Sequence, residues 1–251
     1  MGYIQEYPEM SNTEYLNWAL VANGSLQQEP GTVHIYSDFG FFLLGRVVEV
    51  VTGTQYVNFV YSEVFGPMGV KGAFIAGPRR EDRQPNEVVY YSRVPPPTLP
   101  YTCAPNMQRW DALGAWVFAP LDLLHFLTSI ETFLSPASRA LMLTPNPIFP
   151  RRGLCWFVVS RSPGEVEYFH RGWMPGTGAH VQLFESGGHV YTYAFAMSDE
   201  FKYNQTHYED TLWLPLQALL LETKFVEQTE DGGILIEIIQ IMIIDNYDLF
   251  L

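Results

Sequence analysis

Lysine is scarce: the 251 residues hold three, Lys71, Lys202 and Lys224. Fourteen basic residues face 27 acidic ones, and the net charge is −13. A nucleic-acid backbone is therefore not expected as a partner, because phosphate binding needs clustered Lys and Arg. Two cysteines, Cys103 and Cys155, cannot make a disulfide framework or a four-cysteine zinc site. No run of about 20 apolar residues occurs, so no membrane-spanning helix is expected. Residues 1–10 have neither a basic n-region nor an apolar h-region, so no signal peptide is read there. A soluble chain is expected, with its compartment and oligomeric state left open.

What the chain does have is apolar bulk, 47% of its residues, enough for a sizeable core. At about 150 residues per domain the length fits one large domain or two small ones. Ser11 to Glu14 reads as a capping box for a helix through Tyr15, Leu16, Trp18 and Ala19. Asp38 to Val51 reads as a second helix, with Phe41, Leu44, Val48 and Val51 as its apolar stripe and Gly53 as its stop. Gln55 to Phe65 reads as a third, closed by Gly66-Pro67. Residues 71–111, with Pro95-Pro96-Pro97 and Pro100, read as a long loop region. Pro120 and Ser135-Pro136 open two further helices.

From Gly153 the pattern changes. Leu154–Val159, Val166–His170, Ala179–Phe184 and Val190–Ala196 are short runs rich in Val, Tyr and Phe, separated by Gly and Pro. They predict an antiparallel meander. A closing helix is expected over roughly Leu214–Phe225. Helices first and strands later give an α+β fold, with an antiparallel sheet flanked by helices and a helical region beside it.

Two stretches can carry chemistry. Tyr36-Ser37-Asp38 stands at the mouth of the second helix, where free N–H groups and positive potential can favour a phenolate. On spacing alone, Tyr36 reads equally as a packing aromatic and Asp38 as the helix cap. His170-Arg171-Gly172-Trp173 ends a predicted strand. A Gly on a strand admits a close ligand, and a His beside it can donate a proton near neutral pH. An ordinary tight turn fits the same residues. Cys155 is expected mid-strand as a small buried hydrophobe. His170, His180 and His189 recur at spacings that match no short metal-ligand pattern, so no metal and no cofactor are expected.

In order along the chain, these stretches resemble the class C β-lactamase-like serine hydrolases, a group with penicillin-binding DD-peptidases, D-aminopeptidases and esterases. Tyr36-Ser37-Asp38 followed by Leu44-Gly45 resembles the Tyr motif and its helix. Thr52-Gly53 and Phe65-Gly66-Pro67-Met68-Gly69-Val70 resemble the segment after it. Leu113-Gly114-Ala115-Trp116 with Asp122-Leu123, and Gly153-Leu154-Cys155-Trp156 with His170-Arg171-Gly172, complete the series. The resemblance covers residues 12–225 or so.

It implies a β-lactamase/DD-peptidase-like fold and acyl transfer through a Ser ester, on a small-molecule ester, amide or D-amino-acid peptide. It implies Tyr36 as general base and His170 in the third motif. The N–H of Trp173 would be half of an oxyanion hole, with Asp38 and Gly172 facing the substrate. Two departures stand out. The family's Ser and Lys share one helix turn as S-x-x-K, but Met68, Asp199 and Leu221 stand three before the three lysines. No S-x-x-K and no nucleophile of that kind is therefore present. The chain is expected to match the latter part of the family and to be inactive as written. The alternative is a non-catalytic binding or scaffold relative. The second departure is Asp38 where the family has Asn; a carboxylate only accepts hydrogen bonds. Residues 1–231 are expected to form the truncated domain, with 12–150 mainly helical and 151–231 holding the strands and closing helix. Residues 232–251, Ile-rich, lie outside the resemblance and are expected to seek a sheet edge.

Overall fold

The computed structural model describes residues 7, 9–22, 28–90, 107–174 and 176–197. The closing helix, the Ile-rich tail and the proline-rich stretch around Pro95 lie outside these residues. Helix α1 (Asn12–Ala22) starts on the capping box read from sequence. The Glu14 N–H donates to Ser11 Oγ at 3.2 Å and the Ser11 N–H donates to Glu14 Oε2 at 2.8 Å. Its Tyr15 and Ala19 are buried with Phe42, Ala76, Met107, Trp110 and Ala115 in one apolar cluster.

Helix α2 (Asp38–Thr52) is capped by Ser37, whose Oγ accepts the Gly40 N–H at 3.0 Å. Asp38, expected as a cap, is instead the first helical residue. Gly53 ends the helix with φ of 67°, the left-handed conformation that glycine takes without strain. The buried face is Phe42, Gly45 and Arg46 rather than the expected Phe41–Leu44–Val48–Val51 stripe; Leu44 and Val51 are exposed. Two contacts set that rotation. Arg46 pairs with buried Asp111 at 2.6 Å and with Glu49 at 3.0 Å. Gly45 lies so close to the 110–112 turn that a Cβ there would stand 2.6 Å from Ala112 Cβ. A charged residue thus takes a position that a hydrophobic pattern cannot reveal.

The third helical segment runs from α3 (Tyr56–Phe59) through a π-helical turn (Val60–Phe65) into α4 (Gly66–Met68). Gly66-Pro67 therefore does not close it. Gly69, at φ of 73°, does. Strands β1 (Phe74–Ile75) and β2 (Trp116–Val117) pair antiparallel. Asp122, at the start of α5 (Pro120–Phe133), accepts the N–H groups of Lys71 and Gly72 at 3.3 and 3.1 Å. Ser135 caps α6 (Pro136–Leu143), as its Ser-Pro start predicts.

The meander is a four-stranded antiparallel sheet of β3 (Phe157–Ser162), β4 (Glu165–Met174), β5 (Thr177–Ser186) and β6 (His189–Met197), in that order. β4, β5 and β6 run further at both ends than predicted, and β3 is shifted three residues along the chain. β3 begins at Phe157 because residues 152–156 turn: the Gly153 N–H donates to the Trp156 carbonyl at 2.8 Å. One face of the sheet meets α5 and α6 in a second cluster that includes Leu124, Leu127, Ile130, Leu143, Trp156, Leu183 and Ala194. The α+β architecture expected from sequence is the one observed. None of the described helices is long and apolar enough to cross a membrane.

Candidate active site

After a turn at Gly31, residues 33–37 run exposed to the head of α2, and His34 stacks on Phe149 at 4.8 Å. Tyr36 is 65% exposed, yet its hydroxyl donates to Asp38 Oδ1 at 2.8 Å. Partial burial, that hydrogen bond and the Asp38 charge push the phenol up to about 12, with Arg152 pulling the other way. The phenolate that a helix start could favour is therefore disfavoured here, first by burial and then by the neighbouring Asp38 carboxylate.

His170, Gly172 and Trp173 lie on β4. Pairing of β3 with β4 ends at Phe157↔Phe169, while β5 continues opposite them: His170↔Val181, Gly172↔Ala179, Trp173↔Gly178. His170 and Gly172 are exposed, and a Cβ built on Gly172 would meet nothing within 4 Å. Trp173 is 42% exposed. The open space at Gly172 lies between the exposed His170 and Trp173. Nearby protein, and then the Arg152 charge, hold His170 below the usual imidazole range. It is neutral at physiological pH and can donate or accept.

No hydrogen bond joins Tyr36 to His170 among the described residues. What links the two segments is Arg152, which bonds to Phe149, the ring partner of His34, and lies over Phe157, the ring partner of Phe169. Its guanidinium carbon lies 3.2 Å above the centre of the Phe157 ring. Its backbone is tied on both sides: its N–H donates to the Phe149 carbonyl at 2.9 Å, and its own carbonyl accepts the Asn146 N–H at 2.6 Å. Burial, then the like charge of Arg171, lower its pKa from the ordinary guanidinium value.

Arg152 was not among the residues singled out from sequence. The signal was the doublet Arg151-Arg152 in an acidic chain, directly before Gly153-Leu154-Cys155-Trp156. Cys155 differs from expectation. It is exposed, stands ahead of β3 and takes φ of 69°, because the 152–156 turn removes it from the strand. The surrounding protein pushes its thiol up, with Arg152 opposing, so it is not an activated nucleophile. His180 lies inside the sheet, stacked between Phe169 and Phe195 at 5.6 Å from each.

The Beta-lactamase family model matches residues 3–209. The chain belongs to the beta-lactamase family. Among solved structures of this fold, D-amino acid amidase from Ochrobactrum anthropi SV3 in complex with D-phenylalanine aligns over 90% of this chain and 67% of its own, with a TM-score of 0.66 and 19% identity. The octameric penicillin-binding protein homologue from Pyrococcus abyssi aligns over 84% of this chain and 48% of its own, at TM-score 0.66 and 18% identity. A class C beta-lactamase aligns over 86% and 64%, at TM-score 0.57 and 14% identity. A curated relative, a putative D-alanyl-D-alanine carboxypeptidase of Escherichia coli K12, is 37% identical over 51 residues. That stretch is 20% of this chain and 12% of the relative. The helical region and the antiparallel sheet are the beta-lactamase/DD-peptidase fold.

Proposed function

We propose that this chain carries the Tyr-motif and third-motif half of a beta-lactamase-type acyl-transfer site for small esters, amides or D-amino-acid peptides. In this reading Tyr36 moves the proton and Asp38 and Gly172 face the substrate. His170 lines the pocket, and the Trp173 N–H is half of an oxyanion hole. The observation that carries the reading is a run of contacts between the two motifs: His34, two residues before Tyr36, stacks on Phe149, whose carbonyl accepts the Arg152 N–H, and Arg152 lies over Phe157, which stacks on Phe169 next to His170. The amide and peptide chemistry named in the D-amino acid amidase and the putative carboxypeptidase supports that substrate range.

The reaction of such a site is the attack of a Ser oxygen on the carbonyl carbon. The amine or alcohol leaves with a proton, and water then hydrolyses the ester. The family's S-x-x-K pair is absent from these 251 residues. Tyr36 moreover holds its proton, with its pKa at about 12 and Asp38 accepting the hydrogen. The held proton favours a second reading, a relative that binds such ligands without turning them over. The chain as given is expected to bind N-acetyl-D-phenylalaninamide and to leave a p-nitrophenyl ester, a D-amino-acid p-nitroanilide and a chromogenic cephalosporin uncleaved above the buffer rate. Hydrolysis abolished by Tyr36→Phe would overturn the inactive reading. Failure of any of these compounds to bind would overturn the site itself.

A further inference from the structure

We infer that the outward face of α2 is a docking surface for residues 234–244 of the same chain. The inference is independent of the site proposed above.

Helix α2 is turned inside out. Its charged residues past the first turn, Arg46 and Glu49, point inward. Arg46 pairs with buried Asp111 at 2.6 Å, and Glu49 pairs with Arg46 at 3.0 Å and accepts the Tyr56 N–H at 3.0 Å. The side left over is apolar. Phe41, Leu44, Val47 and Val51 recur at three and four, so they line one face, and all four are exposed. Val50 flanks them at 86% exposure. No charged side chain interrupts this face between Phe41 and Val51, a length of about 15 Å. In a chain of net charge −13, an uncharged stripe of large apolar groups marks a contact surface.

Residues 234–244 have the matching chemistry. They read ILIEIIQIMII, with Glu237 as their one charged residue, and they lie beyond the family match, which ends at residue 209. The described residues lead toward the face. Met197, the last of them, pairs with Gly178, and Gly178 pairs with Trp173. Two strand spacings put Met197 about 10 Å from Trp173. The next residue, Met174, packs against the cluster that holds Phe42 of α2, as does Phe39. The chain therefore leaves the sheet at its α2 end. Residues 198–233 can span up to about 120 Å, so the whole face is within reach.

Tethering favours this occupant over a second copy. A linked segment meets the face at an effective concentration far above that of another molecule in dilute solution. Two whole chains of charge −13 also repel each other on approach. A sheet edge, the place expected from sequence, would hold the segment by its backbone and leave the α2 face in water.

The test puts a nitroxide at Ile239→Cys in the 15N-labelled full chain, with Cys103→Ser and Cys155→Ser. Amide signals of residues 41–51 are expected to lose intensity and to recover when the label is reduced. Leu44→Lys with Val47→Lys should abolish that loss. Loss that survives the two lysines, loss on β3 or β6 instead, or no loss among residues 41–51 overturns the inference. So does loss that appears only when a spin-labelled chain is mixed with a separate 15N-labelled one, which would make a second copy the occupant. If the cysteine replacements do not fold, hydrogen exchange decides. Ile238→Asp with Ile239→Asp should then speed exchange of the α2 amides, and an unchanged rate overturns the inference.

Discussion

Tyr36 donates its phenolic hydrogen to Asp38 at 2.8 Å, across the residue that caps α2. An Asn at position 38 would restore the family's usual amide and remove a negative charge facing the phenol. Burial, the hydrogen bond and that charge together hold Tyr36 at about 12. Asp38→Asn is therefore expected to lower the Tyr36 pKa, because two of the three raising causes weaken. Ultraviolet titration of tyrosinate, with Tyr36→Phe subtracted, measures it. An unchanged or higher value would contradict the assignment.

The buried pair of Arg46 and Asp111 fixes the rotation of α2. Removing one partner leaves a buried charge and is expected to cost about 3–5 kcal/mol. Replacing both, Arg46→Met with Asp111→Leu, should recover most of that loss. Denaturant unfolding of the two single variants and the double variant tests this. A double variant as weak as either single one would show that the pair itself is required.

Gly45 is the closest approach of α2 to the 110–112 turn, with a built Cβ 2.6 Å from Ala112 Cβ. Gly45→Ala is expected to destabilise by about 1–3 kcal/mol through overpacking. Gly45→Ala combined with Ala112→Gly should relieve it. Urea midpoints of the single and double variants report the difference, and an additive loss would count against close packing as the cause.

His180, stacked between two phenylalanines, has its imidazole pulled down to about 4, chiefly by burial. Gln182 opposes the shift, and Arg171 and His170 reinforce it. An unfolded His titrates near 6.5. Between these values the unfolded chain binds more protons than the folded one, so stability falls as pH drops from about 6.5 to about 4. The loss reaches roughly 3 kcal/mol at one unit per 1.36 kcal/mol. His180→Phe should flatten this part of the stability–pH curve. A variant with the wild-type slope would place the effect on other groups.

Much of this was legible in the sequence, for physical reasons that differ by element. The capping box at Ser11, the Ser135-Pro136 start and the Gly53 stop are local chemistry, and each held. The meander showed through its turn glycines and β-rich runs. What failed depended on distant residues. The buried face of α2 is set by Asp111 and Ala112, more than sixty positions away. The start of β3 and the exposure of Cys155 follow from a turn that no periodicity announces. Arg152 went unnoticed because its place over the Phe157 ring follows from the backbone turn that ties it to Asn146 and Phe149, which only the folded chain reveals.

The central claim is that the head of α2 and the far part of β4 form one ligand site. Amide chemical shifts of the 15N-labelled chain, followed during titration with N-acetyl-D-phenylalaninamide, test it most directly. The account predicts that Tyr36–Asp38 and His170–Trp173 shift together along one saturable isotherm. Shifts confined to one of the two segments, or to neither, would contradict it.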